Sequence, residues 1–212
     1  MIITTELLVI GGYLAYEGVV WGVGQWKHWK LGKKTKEFRV KPELTEDDHI
    51  LIEKCREIMK SNFPLGIEDR LKVMTPTERA DLFQKLILEL NSVYGVNITN
   101  IAFLHTDEIG SGTYGYYLRE THSIRFNFDL LSLDDPAILR EMVDTIFHEM
   151  RHALQYKAVS DSSCNYGTDE QRYLWALNFL NYIPGYVDFA YYQQQILEAD
   201  ARQIAELSMK GF

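Results

Sequence analysis

The chain has 212 residues, 46% hydrophobic and 25% charged, with a net charge of −8 and a pI near 5.3. This composition excludes a disordered or fibrous chain and supplies enough apolar material for one main domain with a sizeable core. The acidic balance argues against a nucleic-acid binder, whose footprint is a basic surface.

Residues 7–26 form an apolar run about as long as a membrane span, broken by a single charge at Glu17. The lysine cluster after it, from Lys27 to Lys36, would hold the rest of the chain on the cytoplasmic side of a bilayer. No basic stretch precedes the run, so a cleavable secretory signal fits poorly. The pairs Gly11/Ala15 and Gly18/Gly22 would let two helices approach closely. The run therefore reads either as an apolar helix in a membrane or against a partner helix, or as a segment packed on the domain, since Glu17 is costly in lipid. Residues 1–40 carry six Lys/Arg and three Asp/Glu, and the remaining 16 and 27 leave residues 41–212 at −11. A leader of residues 1–40, its basic part a linker, and a catalytic domain of residues 41–212 are expected.

Thr45 before Glu46-Asp47-Asp48 opens a helix over about 46–62, and Thr75-Pro76-Thr77-Glu78 opens a second that should stop at Gly95. From Val96 the pattern turns to strands. Residues 97–104, 113–119 and 123–128 read as a small antiparallel sheet, the last two joined as a hairpin through Glu120-Thr121-His122. Asp135-Pro136 then caps a long amphipathic helix with Leu139, Met142, Val143, Ile146 and Met150 on its apolar face. Residues 168–183 read as an inserted helix, and 189–209 as the last one. Cys55 and Cys164 make neither a disulfide framework nor a C-x-x-C pattern; free thiols in a reducing compartment are expected, with a single bridge as the alternative.

The long helix carries His148-Glu149-Met150-Arg151-His152, an H-E-x-x-H pattern. Residues four apart on a helix lie about one turn apart on one face, so both imidazoles can reach one metal ion. Glu149, rotated about 100° from His148, stays close enough to take a proton from metal-bound water without being a ligand. By chance alone the motif would arise in roughly one such chain in a hundred, so its capped amphipathic setting carries weight. A catalytic zinc usually takes three protein ligands and keeps a position for water. Gln155 and Ala158 occupy the places where H-E-x-x-H-x-x-G-x-x-H would have its glycine and third histidine. The downstream candidates are Cys164, Asp169, Glu170, Glu198 and Asp200. Glu198 shares its helix face with Ala201 and Ala205, small residues that permit close approach to the motif helix, whereas Asp200 is rotated about 200° away. A solvated surface glutamate is the plain alternative.

His148-Glu149-x-x-His152 followed by Glu198-Ala199-Asp200-Ala201-Arg202-Gln203-Ile204-Ala205 resembles the motifs of small gluzincins, including the ImmA/IrrE-type peptidases and zincin domains of bacterial toxins. The resemblance covers residues 95–210. It implies an α+β fold, mainly helical and zincin-like, with zinc on His148, His152 and Glu198 and with Glu149 catalytic. The 46-residue step from His152 to Glu198 is longer than such compact peptidases show. Within it, Gly167-Thr168-Asp169-Glu170-Gln171-Arg172-Tyr173 partly resembles the G-T-x-D-x-x-Y-G segment of aspzincins, which makes Asp169 the alternative third ligand. Candidate stabilisers of a developing oxyanion are His122, Arg172, Tyr191 and Tyr192.

The expected function is a zinc metallopeptidase acting on a protein or peptide laid along the sheet edge, in the role of a toxin effector or a regulatory protease. It would be cytoplasmic, membrane-associated or a secreted effector. The alternatives are a zincin-fold binding module without turnover and a membrane-associated assembly protein.

Overall fold

The computed structural model describes residues 42–212. The apolar run and nearly all of the linker lie outside the described residues. The elements, in chain order, are α1 Glu46–Asn62, α2 Ile67–Leu71, α3 Pro76–Tyr94, β1 Asn100–Leu104, α4 Thr106–Ile109, β2 Gly115–Leu118, β3 Ser123–Asn127, α5 Phe128–Leu131, α6 Pro136–Ser160, α7 Asp169–Leu180, α8 Phe189–Gln194 and α9 Ile196–Ser208. The fold is α+β and mainly helical. No helix among the described residues is long and apolar enough to cross a membrane.

Local chemistry explains the main helix starts. At α1 the Thr45 hydroxyl accepts from Asp48 N–H while the Asp48 carboxylate accepts from Thr45 N–H at 2.8 Å. Thr75 and Glu78 make the same reciprocal pair at α3, with Pro76 in the first turn. Gly95, at φ 62°, takes the left-handed conformation that ends α3, where a Cβ is disfavoured. Asp135 caps α6 by accepting from the N–H groups of Ala137 and Ile138.

The sheet differs from the antiparallel one expected. Its order is β1-β3-β2, with β2 antiparallel to β3 but β1 parallel to β3, Asn100 facing Ser123 and Leu104 facing Asn127. The predicted hairpin is therefore present, and the mixed character comes from β1. Residues 105–122, containing α4 and β2, are long enough to act as the crossover that parallel pairing needs. The first strand is also shorter than predicted. The Asn91 side chain accepts from Ile98 N–H and donates to its carbonyl, both at 2.9 Å, which ties residues 96–98 back to α3.

The core lies between the inner face of the sheet and helices α1, α3, α6 and α9, with Phe83 meeting Phe126 edge-on at 5.7 Å between ring centres. Helix α9 runs along α6, and α6 also packs under β2. The inserted helix α7 is anchored by Trp175, buried with Ala158 and Leu197 in a second, smaller cluster. The last predicted helix is divided at Gln195, which has extended backbone angles (φ −60°, ψ 141°). The Gln195 amide accepts from Ile183 N–H and donates to the Ile183 carbonyl, both at 2.8 Å, so a tertiary clamp sets the break.

Candidate metal centre

Helix α6 presents His148 and His152 one turn apart with their Nε2 atoms 3.0 Å from each other. Helix α9 brings Glu198 against them: Oε2 is 3.2 Å from His148 Nε2 and Oε1 is 3.3 Å from His152 Nε2. Ala201 and Ala205, one and two turns on, are fully buried, which lets α9 lie this close. Among the described residues this is the one group of three or more His, Cys, Asp or Glu side chains whose donor atoms lie within 4.8 Å of one another.

The donor set suits zinc. Ligand atoms at the corners of a tetrahedron around Zn²⁺ stand about 3.3 Å apart, given bonds of about 2.0–2.1 Å. Glu198 Oε2 is buried without an aligned hydrogen-bond donor, an arrangement costly for a carboxylate unless a cation satisfies it. The Gln155 amide sets the state of His152. Its Nε2 donates to Leu197 O and to Asp200 Oδ2, so its oxygen is the atom 2.8 Å from His152 Nδ1. An oxygen only accepts, hence Nδ1 carries a proton and Nε2 is the ring nitrogen turned to the cluster.

Charge is shared within the group. Burial works against a charge on His152, but the Glu198 carboxylate outweighs it and raises the pKa to about 9. Burial likewise opposes ionisation of Glu198, yet His152 and His148 hold it well below the usual carboxylate range. Glu149 differs: burial raises its pKa, and the two histidines offset only part of that rise. Its Oε2 accepts from Tyr117 N–H at 2.8 Å, the outward N–H of the edge strand. Gly115 makes this approach possible, since a Cβ there would stand 2.7 Å from Arg125 O and 3.1 Å from Thr145 Cγ2 on α6.

A cleft of about 440 Å³ opens onto Glu149, His152 and Glu198, walled by Gly115–Tyr117 on one side and by Phe179, Leu180 and Tyr182 on the other. Tyr182 donates to Glu198 Oε1 at 2.7 Å, and Tyr192 stands beside it, their rings edge-on at 6.2 Å. Burial and the Glu198 charge push both phenols up, so they remain protonated donors.

The other predicted site residues divide. Tyr192 lines the cleft, whereas Tyr191 is exposed and is not part of its lining. His122 lies in the β2–β3 turn, bonded to Tyr117 Oη at 2.9 Å. Arg172 is spent on the carbonyls of Tyr166 and Gly167 and on Asp169. Asp169, the alternative third ligand, lies outside the cluster: its side chain is 99% exposed and paired to Arg172 at the start of α7. Asp200 faces away from Glu198, as its rotation predicts, and binds Arg151 Nε and Nη2 at 2.7 and 2.9 Å. Cys55 and Cys164 are free thiols, and burial pushes Cys55 up to about 12, which removes it as a nucleophile.

Two features went unread in the sequence. Tyr182 sits in irregular chain, where no periodicity marks it. Arg151 occupies a variable position of H-E-x-x-H and is fully buried among Asp200, Asp48 (2.7 Å) and Tyr166 (2.8 Å). An arginine flanked by buried positions of a core helix was the available signal, since a buried cation requires partners. Comparison with protein-family models, curated proteins and solved structures finds no match to this chain.

Proposed function

We propose that this chain is a zinc-dependent metallopeptidase of zincin type. The observation that supports it is the convergence of His148 Nε2, His152 Nε2 and the Glu198 carboxylate beside a buried Glu149 at the floor of an open cleft. His148, His152 and Glu198 would hold the zinc. When bound, zinc polarises a carbonyl and lowers the pKa of water towards about 7. Glu149 takes the proton of the attacking water and passes it to the leaving amine. Tyr117 N–H fixes one carboxylate oxygen and so orients the other. Tyr182 holds Glu198, and Tyr192 supplies a phenolic O–H to the carbonyl oxygen as it gains charge.

The test is metal analysis with turnover. Protein equilibrated with zinc and desalted retains stoichiometric zinc, and Glu149→Gln keeps that zinc while hydrolysis of a quenched peptide library falls roughly 10²–10⁴-fold. Protein that retains no zinc would overturn the reading.

A further inference from the structure

The cleft lies at one end of an apolar face that the described residues leave uncovered. Of the 13 large apolar side chains exposed among them, eight fall between Tyr173 and Tyr191. On α7, Tyr173, Leu177 and Leu180 follow i, i+4, i+7 spacing with Leu174 beside them, so one stripe faces outward. The opposite side is pinned by the buried Trp175. At its C-terminal end the stripe enters the cleft wall through Leu180. At its other end Leu174 forms part of a second hollow of about 460 Å³, shared with Trp175 and Ile196. One helix thus carries a continuous apolar track from the cleft to a separate cavity. Leu174 and Leu180 stand about 9 Å apart along the helix axis, the span of about three residues of extended chain.

We propose that this track is a docking surface for the polypeptide substrate, holding an apolar segment of about three extended residues that continues from the part of the chain bound in the cleft. The inference rests on the peptidase reading and extends it. Continuity selects the occupant, because Leu180 belongs both to the cleft wall and to the track. Charge points the same way: Glu170 lies in the first turn of α7 and residues 41–212 carry −11, which disfavours an anionic lipid surface and suits an apolar segment with basic neighbours. Tyr173 adds broad contact area that loses little side-chain entropy on binding and offers a hydroxyl to a peptide backbone.

Binding separates this inference from the catalytic one. Full-length, zinc-loaded Glu149→Gln protein is titrated into fluorescently labelled casein, an unfolded polypeptide, and the anisotropy followed. The Kd rises tenfold or more when Tyr173→Glu or Leu177→Glu is added, while Leu177→Met keeps the parent affinity and bound zinc is the same in all four. Unchanged casein binding in both glutamate variants overturns the docking surface, as does a parent protein that binds no casein. Variants that instead lose phosphatidylcholine–phosphatidylglycerol vesicles, or change sedimentation from dimer to monomer, with casein binding intact, overturn it in favour of lipid or a second copy. Zinc content and Glu149-dependent hydrolysis of short peptides decide the peptidase reading separately.

Discussion

His152 owes its orientation to a side chain three residues further along α6. The Gln155 oxygen holds Nδ1–H and the Gln155 amide nitrogen is held in turn by Leu197 O and Asp200, so the ring is oriented with Nε2 towards the cluster before any ion arrives. Such outer partners are worth about 10–100-fold in metal affinity. Gln155→Leu is therefore expected to weaken zinc binding by about that factor in chelator competition, without removing a ligand. The contrast between Glu198 and Asp169 is sharper: Glu198→Ala loses the metal and Asp169→Ala retains it, measured as zinc per chain after dialysis. The spacing of His148 and His152 made their shared helix face legible in the sequence, with Glu149 rotated beside it, and the two alanines after Glu198 made its proximity legible. Tyr182 was not, because its position is set by the Gln195 clamp on Ile183, a contact between residues in separate elements.

Among the elements, helix starts were the most readable features, since Thr45, Thr75 and Asp135 form their caps within three residues of sequence. The direction of β1 was not readable. Alternation of side chains reports which face of a strand is buried and carries no information about whether its neighbour runs parallel. The break at Gln195 was hidden for a related reason: glutamine is a good helix former, and a tertiary clamp overrides the preference. The approach of β2 to α6 is the element contact on which the site depends most directly. Gly115→Ala puts a methyl group at 2.7 Å from Arg125 O, an overpacking expected to cost about 1–3 kcal/mol. Thermal unfolding reads that loss. The zinc-loaded variant should also lose turnover, as β2 is pushed away and Tyr117 N–H leaves Glu149.

At the scale of the whole molecule, one buried ionic network ties the first described helix to the site. Arg151 on α6 bridges Asp48 on α1 to Asp200 on α9, and Asp200 leads through Gln155 to His152. Asp48→Asn leaves Arg151 paired with Asp200 but removes the carboxylate that accepts from Arg151, the Tyr166 hydroxyl and Thr45 N–H, and is expected to cost about 1–3 kcal/mol at neutral pH. Its pH dependence has a definite sign. Burial would raise the Asp48 pKa, but Arg151, with Thr45 and Tyr166, holds it below 3.8. A depressed folded-state pKa contributes stability above the unfolded value and loses it as pH falls through the folded one. The gap in melting temperature between the native chain and Asp48→Asn should be full at pH 7 and close at pH values below about 3.8.

The bond from Tyr117 N–H to Glu149 has a consequence for how a substrate strand could seat on β2. One donor does not serve two acceptors at full strength. An extended polypeptide aligned on this edge either forgoes pairing at Tyr117 or takes that N–H from the carboxylate. In the second case Glu149 loses a partner that favours its ionised form, and its proton affinity rises at the moment of docking. The base would then gain strength only while the edge is occupied.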